Sequence, residues 1–339
     1  MLANYYFITG RYPEAKPILY KFMSDQDLFL KLVRVLEFES DYHEAVRLLE
    51  ERTKTDSSNT IFLAKLADNY MEIDRFLSAN NTLEKIIELN PGDITSLAKL
   101  ANLNLKMKKL QRTIELCEQG LEQDSTNRTL IRIKGLASFR MSAFSKSAEC
   151  FNYLFTRGDS STNTLKHLGI SETKLFQMVP AREHLIMAYQ KDSTDFELCY
   201  FIAQALNATT YPDSALYYLD RADSLLLPSP GVLEVLLIER ASAYFMLEDW
   251  DYALNTYREL YKVHAKPQYL FSCASICQHH LSDKKKALEY YTRFLDALPE
   301  EEHAAGFRPE EQHTVSLKRV AQENVERLKE ELFFEGKLE

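Results

Sequence analysis

A repeat of about 34 residues is the feature of this sequence that most limits its fold. Short segments of the form aromatic, two residues, small residue recur along the chain, as from Phe76 to Ala79 and from Trp250 to Ala253. Their small residues stand at positions 15, 45, 79, 113, 147, 181, 215, 253 and 287. These positions are evenly spaced, except for a shorter first step and a longer step between 215 and 253. A fixed period of this length indicates a repeat architecture.

Two further columns share the period. Twelve residues before each small residue lies another small or β-branched one, and four residues after it lies a mostly large apolar one, as with Ala67, Ala79 and Leu83. Positions i and i+4 share one face of a helix. The columns therefore predict two amphipathic helices per copy. Such a pair is shorter than the roughly 40 residues that usually fold unaided, so the copies must stack.

Composition agrees with an all-α chain. The 339 residues include only nine glycines and ten prolines, which leaves little of the turn chemistry that many short strands need. Pro228, Pro230 and Gly231 stand in the one lengthened step and favour a longer loop there. No uncharged apolar run approaches the roughly 20 residues that span a bilayer, so no membrane span is expected.

The columns resemble the tetratricopeptide repeat, whose pattern runs W-x2-L-G-x2-Y, then A-x3-F, then P. The third copy matches best, with Leu63, Leu66, Ala67, Tyr70, Ala79, Leu83 and Pro91. The resemblance covers about residues 2–299, as one truncated copy and eight full ones. It implies an all-α, right-handed superhelical solenoid of tandem helix-turn-helix repeats. Some columns depart from the pattern, because Asn104 replaces an aromatic residue, Lys134 a leucine and Lys284 an aromatic residue.

The two ends differ from the interior copies. The first copy begins partway through its first helix, so we expect either a longer parent protein or a naturally frayed terminus. Residues 300–309 form a charged linker, and Val315, Val320, Val325, Leu328 and Leu332 predict one amphipathic helix over residues 310–335. We expect this helix to cap the array, as terminal repeats require. The alternative is a helix that occupies the ligand groove and inhibits binding.

The resemblance also implies a ligand groove, lined by five positions of the first helix of each copy. The residues selected for this partner-binding groove are Arg132, Phe139, Arg140, Lys166, Lys174, Tyr200, Ile238, Phe245 and Tyr269. The cations at 132, 140, 166 and 174 would form a basic strip suited to an acidic segment, the alternative being a solvated charged face. Ile170 and Ile276 fall at groove positions too. The apolar members predict an interaction stripe, unless other helices cover it.

Motifs for catalysis or cofactors are missing from the sequence. No glycine-rich phosphate loop, H-E-x-x-H or C-x-x-C occurs, so we predict no enzymatic activity, no catalytic residue and no cofactor. Cys273, Cys277 and His280 could offer three metal ligands along a helix, but buried thiols are common in helical cores, and we predict no metal. Glu183 and His184 are interpreted as surface residues.

The function that follows is protein binding. A net charge of −9 argues against a nucleic-acid partner. We expect a non-catalytic protein–protein interaction scaffold that binds a peptide or helix, with an acidic segment as one candidate. The alternative is a ligand-responsive sensor segment of a larger protein. Five cysteines, an odd number, favour free thiols and the cytoplasm, and no signal peptide is visible. A periplasmic or surface-anchored protein stays open if the chain is part of a longer one.

Overall fold

The structure is a computed structural model that describes residues 2–225, 230–298 and 309–337. Within these residues it contains nineteen helices and no strand. In chain order the helices are α1 Leu2–Ile8, α2 Tyr12–Lys21, α3 Gln26–Phe38, α4 Tyr42–Thr55, α5 Thr60–Glu72, α6 Phe76–Leu89, α7 Ile94–Lys106, α8 Leu110–Gln123, α9 Arg128–Arg140, α10 Phe144–Thr156, α11 Thr162–Lys174, α12 Met178–Tyr189, α13 Phe196–Ala208, α14 Pro212–Leu225, α15 Pro230–Met246, α16 Trp250–His264, α17 Pro267–His279, α18 Lys284–Asp296 and α19 Pro309–Phe334.

Consecutive helices pair as hairpins, from α1–α2 to α17–α18, and the all-α tandem helix-turn-helix prediction is confirmed. The chain forms two compact units, Met1–Asp159 and Ser160–Glu339. In each unit the second helix of a hairpin also packs on the first helix of the next, as α8 does on α9 and α12 on α13. The predicted loop at Pro228 lies outside the described residues, and α15 begins at Pro230.

The small-residue column lies at the closest helix contacts. All nine of its members have no exposed surface, including the polar Thr113 and Ser147. Their large partners four residues later are buried as well, apart from Tyr257, which is half-buried. Because a small side chain lets two helices approach, the repeat column fixes where the hairpins close.

A left-handed turn residue joins the two helices of each copy. These residues are Gly10, Ser40, Asp74, Lys108, Ser142, Phe176, Thr210, Glu248 and Ser282, all with positive φ. They recur at the same steps as the sequence repeat. In the fifth copy the Ser142 amide donates to the Phe139 carbonyl, and the Ala143 amide donates to that of Ser138, each at 2.9 Å. This bonding satisfies carbonyls at the helix end. Only the first of the nine is glycine, so the turn is not evident from glycine content.

Capping residues form a further column, at the start of the first helix of the second to seventh copies. They are Asp25, Asn59, Asp93, Asn127, Ser161 and Asp195, each one repeat length after the last. The Asp93 carboxylate, for example, accepts from the amides of Thr95 at 3.1 Å and Ser96 at 3.3 Å. Such caps satisfy amides that have no partner inside the helix. The period of these capping residues can be read in the amino-acid sequence, although the helix prediction did not depend on it.

The C-terminal helix packs on the last hairpin. α19 contacts α18 and, to a lesser extent, α17, with Ala321, Val325 and Leu328 buried in the interface. Lys284, the departure from the aromatic column, lies 2.9 Å from Glu331 of α19. α19 therefore lies against the last hairpin, where a capping helix is expected. That it caps the array stays a prediction. Most of the predicted linker, residues 300–308, and the side chain of Val315 lie outside the described residues.

None of the described helices combines the length and the apolar character that crossing a membrane requires.

Candidate functional site

The predicted groove cations of the first unit differ in what they contact. Arg132 Nη2 donates to Asp159 Oδ2 at 2.8 Å, and the two form an ion pair between α9 and the loop that follows α10. Arg140 Nη1 instead donates to the backbone carbonyl of Leu105 at 3.0 Å. Because a carbonyl carries no net charge, Arg140 remains a cation available to a ligand, whereas the Arg132 charge is already compensated.

The groove cations of the second unit are engaged as well. Lys166 Nζ lies 2.6 Å from both Asp195 Oδ2 and Glu197 Oε2. Burial lowers the pKa of Lys166, but its hydrogen bonds to these two carboxylates outweigh that effect and raise the pKa overall. Lys174 Nζ lies 5.0 Å from the centroid of the Phe201 ring, in a cation–π contact.

The four cations therefore do not form one available basic strip. Arg132 is held by Asp159 in the loop after α10, Lys166 is held by carboxylates of the following copy, and Arg140 and Lys174 lie in different units. This arrangement does not support the predicted preference of the groove for an acidic segment.

The aromatic groove residues are half-buried in the repeats. The Phe139 ring lies edge-on to Phe144 at 5.7 Å, and the Tyr200 ring lies 4.9 Å from Phe201. Burial, and then the charge of Glu239, raises the pKa of Tyr200. The Phe139 ring thus contacts the next helix, the Tyr200 ring contacts its neighbour on the same helix, and each presents only part of its surface.

Large apolar side chains lie exposed along α15. Val235, Ile238, Phe245 and Met246 are 36%, 42%, 45% and 38% exposed. At 3.6 residues per turn they fall within an arc of about 100° on the helix. These four residues are called the α15 apolar face. Ile238 and Phe245 were predicted as groove residues, and the structure places them together.

A cluster of three rings borders this face at its C-terminal end. The Phe245 ring lies 5.0 Å from Trp250 and 5.6 Å from His280, edge-on to both. The imidazole of His280 stacks on the Trp250 indole, with centroids 3.6 Å apart. Trp250 is the one tryptophan of the chain, and from the sequence it was assigned only to the aromatic column of the repeat. Stacking on His280 fixes the Trp250 ring, and Phe245 packs against that ring.

A polar cluster borders the face at its N-terminal end. The predicted groove residue Tyr269 donates its hydroxyl to Glu234 Oε1, Lys266 pairs with the same oxygen, and His264 Nδ1 lies 3.5 Å from Glu234 Oε2. The hydrogen bonds from Lys266 and then Tyr269 lower the pKa of Glu234. Burial, followed by the bond to Glu234, raises the pKa of Tyr269. The apolar face is thus flanked by satisfied polar groups, as at the rim of a protein interface.

Three positions differ from the sequence interpretation. Ile170 and Ile276, expected at the groove, are buried in the hairpin cores. His184, interpreted as a surface residue, is largely buried, and its Nδ1 lies 2.8 Å from Oε2 of the buried Glu172. For His184 the reason is that α11, the facing helix of the hairpin, supplies Glu172 as its partner. Glu183 is exposed as expected.

The cysteine pair on α17 lies in the core. Cys273 and Cys277 have no exposed surface, and burial raises their pKa to about 12 and about 11. The histidine that could complete a ligand set, His280, stacks on Trp250. Across residues 2–225, 230–298 and 309–337, no group of three histidine, cysteine or acidic side chains is placed to hold a metal ion.

Comparison with known proteins gives structural likeness only. No family model matches the chain, and no curated protein matches it. YrrB, described as a TPR protein with an unusual peptide-binding site, is 20% identical, with a TM-score of 0.48 over 55% of this chain and 94% of its own. MamA is 16% identical, with a TM-score of 0.45 over 49% and 91%. A tetratricopeptide repeat protein from Parabacteroides merdae is 13% identical, with a TM-score of 0.47 over 78% and 98%.

Identities and TM-scores this low transfer no ligand from these proteins, so the assignment depends on the chain itself. The same repeat period appears in three independent features: the buried small residues, the left-handed turns and the helix caps. Sequence columns and hairpin geometry thus agree copy by copy. They show a tandem array of helix-turn-helix repeats, an architecture that resembles the tetratricopeptide repeat.

Proposed function

We propose that this chain is a non-catalytic protein-interaction scaffold, and that the α15 apolar face binds a helix or an extended peptide of its partner. The observation that carries the proposal is the exposure of four large apolar side chains on one helix, 36–45% each. Clustered exposed apolar side chains of this kind mark interaction sites on soluble proteins.

The strength of such a site can be bounded from burial. Fully burying a large apolar side chain contributes about 1.5–3 kcal/mol. Covering the exposed fraction of the four residues would therefore contribute about 3 kcal/mol in total. That is less than the roughly 4 kcal/mol of a millimolar complex. The partner must also contact the rings of Trp250 and His280, the polar rim or further copies, which suits an elongated segment.

The partner expected here carries apolar anchors. A helix that offers apolar residues at i, i+3 or i+4, i+7 and i+11 would match the length of the face, which runs from Val235 to Met246. The neighbouring carboxylates are already bonded. Glu239 accepts from Gln204 Nε2 at 3.1 Å and from Asn207 Nδ2 at 3.0 Å, and Glu234 is held by Lys266 and Tyr269. Glu234 is thus compensated by Lys266, whereas Glu239, whose donors are neutral amides, keeps its negative charge beside the face.

The same cluster supports binding rather than catalysis. A carboxylate whose pKa is lowered by two donors, as for Glu234, is a poor proton acceptor near neutral pH. No described residue favours the alternative of a ligand-responsive sensor segment.

The test is a paired substitution on the face. Ile238→Glu with Phe245→Glu places two charges on the α15 apolar face. The matched control, Val179→Glu with Tyr217→Glu, changes two somewhat more exposed apolar residues on α12 and α14. Partners captured by each protein are quantified by mass spectrometry, and the affinity of a purified partner is measured by calorimetry.

We expect the α15 pair to weaken that partner at least tenfold and the control pair to leave it within twofold, with both proteins folded by circular dichroism. Equal affinity for all three proteins would refute the proposed site.

A further inference from the structure

A cavity lined by cations lies in the first unit. Its volume is about 470 Å³, and it is lined by Lys106, Lys108, Leu110 and Arg140. Lys106 and Arg140 end α7 and α9, Lys108 lies in the turn after α7, and Leu110 begins α8. The cavity therefore lies at the turn edge of the fourth and fifth copies.

The three cations lack acidic partners. All three are exposed, and in the part of the chain that the structure describes no carboxylate lies within ion-pair distance of Lys106, Lys108 or Arg140. The bond from Arg140 to the Leu105 carbonyl orients the guanidinium without neutralising it. Most other cations of this unit's first helices are paired, as Lys65 is with Glu37 and Lys99 with Asp68.

Backbone charges do not compensate these cations. The C-termini of α7 and α9 contribute about −0.5 elementary charge each and the N-terminus of α8 about +0.5. Their sum of about −0.5 is small beside three full positive charges. In addition, Lys109, the residue before α8, makes no side-chain capping bond, so amides of the first turn of α8 keep their donor capacity. The cavity thus offers positive charge together with hydrogen-bond donors, which is what an anionic oxygen group requires.

At the turn edge of the preceding copy, the exposed charges are negative instead of positive. Glu72 and Asp74 stand one repeat length before Lys106 and Lys108 and are exposed carboxylates. Packed helices lie about 8–10 Å apart, so the reversal occurs within about one helix spacing. A long polyanion such as nucleic acid would meet these carboxylates, whereas an isolated anionic group on a peptide would not.

We propose that this cavity binds an anionic oxygen group, a phosphate monoester or a carboxylate, on a peptide segment of a protein partner. The segment also carries a cation that faces Glu72 and Asp74. At about 3.3 Å per extended residue, a separation near 10 Å corresponds to a step of about three residues from one charge to the other. The inference rests on the scaffold function proposed above but uses a different surface of the chain.

The test titrates the full chain with capped heptapeptides of alanine by calorimetry. Position three carries phosphoserine, glutamate or glutamine, and position six carries lysine. We expect both the phosphoserine and the glutamate peptides to bind, and tighter binding of the phosphoserine peptide would identify phosphate as the preferred group. The glutamine peptide should bind at least tenfold more weakly than the better of the two. Exchanging the peptide lysine for glutamate should weaken binding at least threefold. A glutamine peptide that binds as tightly as both charged ones would overturn the proposal.

Variants separate this cavity from general electrostatics. Lys106→Glu with Lys108→Glu should weaken the charged peptide at least tenfold. The control, Lys21→Glu with Lys54→Glu, makes the same change in net charge at exposed positions of α2 and α4 and should stay within twofold. An unchanged affinity for the first pair, or an equal loss for both pairs, would refute the site.

The two proposals fail separately. The Ile238→Glu, Phe245→Glu protein should bind the heptapeptide as the unmodified chain does. If that protein loses its partner while the cavity variants bind the peptide normally, the scaffold proposal stands and the cavity inference is wrong. If the peptide behaves as expected but the α15 pair keeps every partner, only the α15 site is wrong.

Discussion

Replacement of Gly169 by alanine tests the packing that the repeat columns describe. Gly169 lies inside α11, against α12 of the same hairpin. A Cβ atom there would lie 2.6 Å from Leu185 Cγ, 2.9 Å from Leu185 Cδ2 and 3.2 Å from the backbone oxygen of Ala181. Leu185 has no exposed surface, so its side chain has little space to move into. The two helices must separate to admit one methyl group.

The sign of the effect follows from two opposing magnitudes. In an open helix, replacing glycine with alanine stabilises by about 1 kcal/mol. Overpacking a closed contact costs about 1–3 kcal/mol, and this contact belongs to the upper part of that range because a backbone oxygen cannot rotate away. We therefore expect Gly169→Ala to lower the free energy of unfolding by about 1–2 kcal/mol.

The control is Gly231→Ala in α15, where a Cβ would meet no atom within 4 Å. It should be neutral or stabilising by up to about 1 kcal/mol. Urea denaturation followed by circular dichroism gives both free energies, and amide hydrogen exchange in α11 and α12 shows whether the change is local. Stabilisation by both substitutions would mean that the two helices are not in close contact and would refute the packing described here.

Three further predictions follow from the caps, the turns and the buried thiols. Asp93→Ala removes the acceptor for the Thr95 amide and should destabilise by about 1 kcal/mol in urea denaturation, whereas Asp93→Asn should restore most of it; equal loss in both would contradict the capping role. Phe176 has a φ of 60° and is 85% exposed, so Phe176→Gly should be about 1 kcal/mol more stable than Phe176→Ala, and the reverse order would count against a strained turn. Burial raises the pKa of Cys273 from 9.0 to about 12, so the native thiol should react slowly with a thiol reagent at pH 8. The stability contributed by the buried, neutral thiol is complete below pH 9. It is lost as the pH rises from 9 towards 12, because only the unfolded thiol ionises in that range. If the urea midpoint of the unmodified chain rose over this range relative to that of Cys273→Ala, the sign would be wrong.

Much of the fold could be predicted because its causes are local and periodic. Helix faces depend on spacing, so the columns of Ala67, Ala79 and Leu83 were sufficient to predict which residues lie between helices, and these residues are buried. The caps such as Asp93 carry the same period and could have been predicted by the same reasoning. The left-handed turns could not, because residues such as Phe176 adopt that conformation only when the hairpin imposes it.

The binding surface was less predictable than the fold. From the sequence, Arg132 and Arg140 were equally good candidates for the groove on one helix. In the structure, Arg132 pairs with Asp159 of the following loop, whereas Arg140 bonds to a neutral carbonyl. Likewise, the resemblance to the tetratricopeptide repeat assigned both Ile238 and Ile276 to the groove, and only Ile238 is exposed. Whether a side chain on a helix face is free depends on what the adjacent copy brings near it.

The sequence by itself determined the repeat length, the helical class and the positions where helices close on one another, since each depends on the order of small and large residues along the chain. Tertiary structure alone decided which charges are neutralised and which apolar side chains stay exposed. Those outcomes depend on pairs of residues in neighbouring copies, such as Lys166 with Asp195, whose distance is set by how two copies pack. A periodic pattern specifies that two copies are neighbours, but the atoms that meet across their interface are fixed only by the packed side chains.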